Sequence, residues 1–348
     1  MTGLIVRRLL QLPLILLVIY TLTLLLAWAV PGDPLANPER RTPPAVAEAM
    51  RAQYNLDSLP RFYASYLWNA SGARWAWERV AGAPGAAAGG AGVGAVGAAR
   101  GGAGAPPGES VRHARFVFDL GPSLEHEDWR VNEIIGASLP VSVTLGATAM
   151  LLALVVGVGA GVLGAVRPNS WADVGTLCVA LVGISQPTFV IGAVLQLVFA
   201  VWLGVFRVAG WGELRDLVLP AVTLSLPFAA YIARLTRMGM IEHLSAEFVV
   251  AARARGVPER AVLLRHALKN AFLPVLSYLG PATATAMTGS FVVERVFNVP
   301  GLGKHFVNAV QNKDLFLIIG VVLVFSTMLV LFNLAVDVLY RWVDPRIE

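Results

Sequence analysis

The sequence predicts an all-α integral membrane protein of six transmembrane helices with both termini in the cytoplasm. Three observations predict it. Of 348 residues, 56% are hydrophobic and 14% charged, where soluble domains carry about 25% charged residues. Uncharged apolar runs recur at lengths near the roughly 18 residues that let a helix cross a bilayer. The basic residues between those runs are unevenly shared, and basic residues in short loops set orientation.

The runs are Leu9 to Val30, Ile134 to Val166, Val174 to Phe206, Leu217 to Ala233, Asn270 to Val293 and Leu315 to Val336. Arg7 and Arg8 precede the first, and Ala27-Trp28-Ala29 imitates a cleavage site. A signal-peptide core holds about 7–15 apolar residues, so this longer run is expected to stay as an anchor. The fourth is the shortest and carries Pro220 and Pro227. Prolines 187, 274 and 281 put further breaks in the spans, which a bundle tolerates when neighbours satisfy the freed carbonyls.

With six spans, Arg7, Arg8, Arg167, the basic residues from Arg234 to Lys269, Arg341 and Arg346 share one face. Only Arg207, Arg215, Arg295, Lys304 and Lys313 occupy the short loops opposite. That bias places the termini inside. It also accounts for the net charge of +5 without nucleic acid. The expected layout is a first spanning helix over 1–30, an extracytoplasmic region over 31–133, a membrane core over 134–340 with a cytoplasmic loop at about 239–270, and a tail over 341–348.

In the extracytoplasmic region, Val46, Met50, Tyr54, Phe62, Tyr66 and Leu67 suggest short amphipathic helices broken near Asp57 to Pro60. From 81 to 108 nearly every residue is Gly, Ala or Pro. Such a segment buries too little side chain to offset backbone ordering, and a flexible insertion is expected. Gly157, Gly161 and Gly164 recur at helical spacing, which lets a neighbouring helix approach closely. The one cysteine, Cys178, excludes a disulfide framework and is read as packing.

Little catalytic chemistry is visible. No Asp, Glu, Lys, Arg or His interrupts the runs, whereas proton relays and ion-coupled carriers need ionisable groups at membrane depth. There is no HExxH, and Gly301-Leu302-Gly303-Lys304-His305 imitates a P-loop only in part, since 298 is Asn and His follows the Lys. No enzyme activity, cofactor site or metal site is expected on this chain. Ser185, Gln186, Thr223, Ser225, Thr283, Thr285, Thr288 and Ser290 are polar but uncharged. Interhelical hydrogen bonding explains most of them. A polar lining for a translocation path is the sharper hypothesis.

The loop before the fifth run is unusual. Phe248 to Asn270 reads FVVAARARGVPERAVLLRHALKN. A helix starting at Ser245 or Ala246 would place Phe248, Ala251, Ala252 and Arg255 on one face. Gly256 follows where a left-handed residue is wanted, and Pro258 suits the first turn of the next helix. The shallow alanine face would fit a groove on another protein, with arginines reaching its rim. Taken alone, the loop would equally suit a basic segment lying on anionic headgroups.

At this point the chain resembles the permease subunits of ATP-binding-cassette importers, in the peptide and nickel branch and nearest its oligopeptide and dipeptide B-type members. Their E-A-A-x-x-x-G pattern is matched by Ala251, Ala252 and Gly256, with Val250 where Glu is usual. The branch's A-R-A-K-G-L, L-R-H-A-L and L-P-V are matched by residues 252–257, Leu264-Arg265-His266-Ala267-Leu268 and Leu273-Pro274-Val275. Ala29 to Pro34, Leu120-Gly121-Pro122-Ser123, Glu294 to Gly303, Val336 to Tyr340 and Asp344-Pro345-Arg346 also fit. The 81–108 insertion and Lys313-Asp314-Leu315 in place of Arg-Asp-Tyr depart from the pattern.

The resemblance implies a type I ABC importer permease fold in a prokaryotic inner (plasma) membrane. It implies a heterodimer with a second permease, two ATPase subunits that hold ATP and Mg, and an extracytoplasmic binding protein. A coupling helix between spans 4 and 5 would contact one ATPase through Glu247, Phe248, Ala251, Ala252, Arg253, Arg255, Gly256, Pro258, Arg265 and His266. Peptides are the expected cargo, with glutathione or nickel as alternatives within the branch. A self-sufficient channel or secondary transporter is the alternative from another class.

Overall fold

The computed structural model describes residues 2–35, 44–80, 117–126, 129–288 and 291–343. The Gly/Ala-rich stretch at 81–108, Ser290 and the end of the 341–348 tail lie outside the described residues. Among the described residues all regular structure is helical, apart from an isolated bridge between Pro122 and Arg130. That is what lipid demands of a spanning chain, since a helix satisfies its backbone polar groups internally.

The helices are α1 (Thr2–Ala29), α2 (Pro44–Tyr54), α3 (Leu59–Ala70), α4 (Ala73–Val80), α5 (Val131–Val166) and α6 (Trp171–Ser185). Next come α7 (Thr188–Leu195), which runs into a π-helical stretch Gln196–Trp202, then α8 (Leu214–Leu244) and α9 (Glu247–Ala254). A composite follows: α10 (Glu259–Ala261), a π stretch Val262–Ala267 and α11 (Leu268–Ala271). The chain closes with α12 (Leu273–Thr288), α13 (Phe291–Val296), α14 (Leu302–Gln311) and α15 (Leu315–Val343).

Among the described residues, four helices are long and apolar enough to cross a membrane: Val6–Ala29, Val131–Val166, Leu214–Leu244 and Leu315–Leu339. The expected third span differs from a single helix. Its chain bends by 109° between Asp173–Ser185 and Thr188–Trp202, and this pair counts as a fifth crossing only if the two halves form one span. Pro187 is the cause: it disfavours helical backbone in the residue before it, and Gln186 takes ψ 136. The expected fourth span, by contrast, is longer than its apolar run. α8 continues to Leu244 because Arg234 and Arg237 interrupt the hydropathy but not the helix. Of the expected fifth, α12 covers 16 residues, short of the roughly 20 that cross a bilayer.

The chain divides into two compact units. The larger comprises Met1–Leu16, Ala137–Val307 and Val324–Glu348. Here the glycine series of α5 acts as expected. A Cβ at Gly157 would lie 2.7 Å from the Ala229 carbonyl oxygen, and one at Gly161 would lie 2.6 Å from that of Ala233. Helices α5 and α8 therefore touch backbone to backbone. Cys178 does not pack inside this unit; it is exposed.

The smaller unit comprises Leu17–Gly136 and Asn308–Leu323. Its short helices form as the periodicity predicts, with the break between α2 and α3 at Asn55, a left-handed residue with φ 56°. Tyr20, Phe62, Tyr66 and Phe316 make a ring cluster, with centroids 5.2 Å apart for Phe62 and Phe316 and 5.4 Å for Tyr20 and Tyr66. Two stretches that carry the family resemblance, 29–34 and 120–123, meet the divergent Lys313-Asp314-Leu315 within this unit. Asp314, fully buried, accepts from the Ser123 hydroxyl at 2.6 Å and the Leu124 amide at 2.8 Å. Lys313 Nζ donates to the carbonyls of Val30 and Gly32. Burial pushes the Asp314 carboxyl up from its ordinary value, and hydrogen bonds led by that from Ser123 pull it back.

Candidate coupling surface

α8 ends at Leu244, and Ala246 in an extended conformation turns the chain into α9. Glu247 lies in the first turn, where a negative charge suits the helix dipole. At the other end Gly256 has φ +76°. Its N–H donates to the Arg253 carbonyl at 2.9 Å, and the Val257 N–H to the Ala252 carbonyl at 3.2 Å. This pair of bonds is the Schellman arrangement, which selects glycine because a left-handed residue with a Cβ is strained. Pro258 then opens the next helix, its carbonyl accepting from Ala261 at 2.8 Å.

The two faces of α9 have separate fates. Val249 and Ala252 are fully buried with Met240, Val262, Ala267 and Ala271, and Val257 packs against the same cluster. Glu247, Phe248, Val250, Ala251 and Arg255 are exposed. The expectation that Ala252 shares the open face with Phe248, Ala251 and Arg255 is thus corrected. One residue is 100° on a helix, and that rotation carries Ala252 into the core while Ala251 stays outside.

The arginines also divide. Arg253 reaches across the turn to Glu259, with Nη2 to Oε1 at 2.7 Å and Nε to Oε2 at 3.2 Å. Hydrogen bonds from Arg253 hold the Glu259 carboxyl below its ordinary value. Arg255 folds back, its Nε donating to the Ala251 carbonyl at 3.2 Å. In the composite after the turn, Leu264 and Arg265 are exposed and His266 is half-buried. A surface of Phe248, Val250, Ala251, Arg255, Leu264 and Arg265 therefore surrounds a packed interior: apolar and basic, without a nucleophile and base among these residues.

Among the described residues, the polar side chains of the spans divide between the interior and the surface. Thr223 and Ser225 are interior and bond within their own helix, to the Leu219 carbonyl at 2.8 Å and the Val222 carbonyl at 2.8 Å. They are removed from an open lining. Ser185 and Gln186 are exposed at the α6–α7 bend. Thr285 is exposed and bonds the Pro281 carbonyl at 2.8 Å, while Thr283 is half-buried.

Asp173 and Glu294 are buried charged groups that each lie one residue outside an apolar run, so a scan for uncharged runs gives neither a partner. Asp173 accepts a two-pronged contact from Arg237, with Nη2 to Oδ2 at 2.8 Å. Glu294 accepts from Ser142 at 2.7 Å and from the Gly303 and Lys304 amides at 2.8 and 3.3 Å. The P-loop-like stretch is consequently a helix start whose anion site is filled by the chain's own carboxylate. Ser170, accepting from the Asp173 amide at 3.3 Å, was the legible signal for the first: a Ser cap just before a helix.

Residues 153–348 match the model of the binding-protein-dependent transport system inner membrane component family. The chain belongs to this family. The match spans α8, α9 and α15, so the permease carries its family pattern across the surface just described. It is 37% identical over 351 residues to the oligopeptide transport system permease protein OppB of Salmonella typhimurium, covering 100% of both chains. To the dipeptide transport system permease protein DppB of Bacillus subtilis it is 34% identical, over 95% of this permease and 93% of that one. To DppB of Lactococcus lactis it is 31% identical over the whole of both.

Proposed function

We propose that this chain is the transmembrane subunit of an ATP-driven importer that passes peptides from an extracytoplasmic binding protein into the cytoplasm of a bacterium. The observation that carries the cargo is the full-length similarity to oligopeptide and dipeptide permeases. In this reading the chain crosses the inner membrane six times, with both termini inside. It pairs with a second permease and takes its energy from two separate ATPase subunits that hold ATP and Mg. The chain itself contributes no hydrolytic residues.

The coupling element is α9 with the turn at Gly256. Phe248, Ala251, Arg255 and Arg265 form the face offered to an ATPase. Glu247 and Pro258 fix its start and its exit, Arg253 ties the turn to Glu259, and His266 borders the surface. Ala252 acts from beneath, by anchoring the helix to the body of the permease. A helix that lies in a groove presents its contacts at i, i+3, i+4 and i+7, and exposed Phe248, Ala251 and Arg255 stand at i, i+3 and i+7. Exposed Ser185, Gln186 and Thr285, with Thr283 beside them, are the residues available to a path shared with the second permease.

The test is uptake by the complete transporter reconstituted in liposomes. Labelled di- or oligopeptide should enter only with the cognate binding protein outside and ATP inside. Uptake without ATP would overturn the importer reading. A binding protein that takes glutathione or nickel, and no peptide, would overturn the cargo.

A further inference from the structure

We infer that the Asp173–Arg237 ion pair is a positioning element of the transport cycle, one that locks the start of α6 to the stretch of α8 leading into the coupling segment. The inference rests on the reading of α9 as the ATPase contact. Its basis is a set of contacts within the larger unit. The Asp173 side chain is 2% exposed and that of Arg237 21% exposed. Guanidinium Nε meets Oδ1 and Nη2 meets Oδ2 at 2.8 Å, while the Asn169 amide adds a third bond to Oδ2 at 2.8 Å. Helix α5 closes over the pair. A Cβ at Gly164 would lie 3.0 Å from Asp173 Oδ1 and 3.5 Å from Arg237 Cδ.

Such a pair is a poor source of stability, because desolvating two charges offsets most of their attraction. What a bidentate fork does provide is fixed distance and angle. Its position makes that fixity useful. Less than one helical turn beyond Arg237, Met240 is fully buried in the cluster that holds Val249 and Ala252 of α9. A displacement of α9 therefore reaches α8 through packed side chains. The ion pair then delivers it to α6, which ends in exposed Ser185 and in Gln186 at the 109° bend. Without the fork, α8 could shift while α6 stayed behind.

The experiment uses the full transporter in liposomes with its binding protein, and measures ATP hydrolysis and peptide uptake in the same vesicles. Arg237→Lys keeps the charge and loses the fork. It should leave hydrolysis near wild type while peptide imported per ATP falls by about tenfold or more, the lower end of what one charge-assisted hydrogen bond is worth. Asp173→Leu with Arg237→Met removes both charges together. It should assemble as well as wild type, since apolar replacement of a buried pair is commonly neutral, and yet show the same drop in peptide per ATP. An unchanged ratio in both variants overturns the inference, as does a parallel fall of hydrolysis and uptake that tracks the amount of assembled complex. Gly256→Val separates the two levels. If it too keeps the wild-type ratio, the coupling reading itself fails; if it uncouples while both ion-pair variants do not, only the present inference fails.

Discussion

The Asp314 hub and the α9 segment both draw on stretches that match the family pattern, and they use them in opposite ways. Around Asp314 the pattern points inward: Ser123 and the amides of Leu124 and Glu125 surround a carboxylate with no access to water. In α9 the pattern splits, with Ala252 packed inside and Ala251 left outside. A motif read in sequence is therefore not one kind of object. Where its polar groups satisfy one another it specifies architecture, and where its small residues remain open it leaves a surface free for contact.

The sharpest way to break that comparison is Asp314→Ala. It strands the Ser123 hydroxyl and neighbouring amides in a dry interior, at about 1–3 kcal/mol for each buried group left unsatisfied. A loss of roughly 3 kcal/mol or more is expected, seen as a clear drop in the unfolding temperature of the purified permease and in the yield of assembled transporter. Next comes the pair Ala252→Glu and Ala251→Glu. The first buries an unpaired charge and should cost about 3 kcal/mol, with little permease recovered. The second changes an exposed position, so the permease should insert and unfold like wild type while uptake is lost. Equal recovery of the two would erase the division between the faces of α9.

Gly256→Val is expected to act more mildly on stability, by roughly 1–2 kcal/mol for a left-handed residue with a side chain, and mainly on peptide imported per ATP. Arg253→Gln should have the smallest effect. Because the partner Glu259 carboxyl is held below its ordinary value, its contribution is present above the usual carboxylate range and is lost as pH falls through the lowered value. Wild type and Arg253→Gln should thus differ by a constant small margin from pH 6 to 8 and converge in acid. A margin that grew between pH 6 and 8 would point to a different partner for Arg253.

Much of this was legible before the structure. The glycine series of α5, the break between α2 and α3, and the left-handed turn at Gly256 follow from local rules that need no tertiary knowledge. The 109° bend was legible only as a proline within an apolar run, since hydropathy cannot tell one long helix from two angled ones. Ala252 was misplaced because helical spacing ranks residues on faces but does not say which face the rest of the chain covers. The partners of Asp173 and Glu294 were missed for a related reason. A scan for uncharged runs stops at a charge, whereas the folded chain continues the helix beyond Arg237 and pairs the charge it meets. The interior positions of Thr223 and Ser225 depend on the close approach of α8 to its neighbours, which polarity alone does not reveal.

The central claim is that the open face of α9 is covered by an ATPase subunit, and chemical protection tests it most directly. Cys178 is the chain's one cysteine, so Cys178→Ser gives a clean background for Ala251→Cys and Phe248→Cys. Both should react with a water-soluble maleimide in the permease alone and become protected when the ATPase subunits are bound. Labelling at equal rates with and without those subunits would contradict the account.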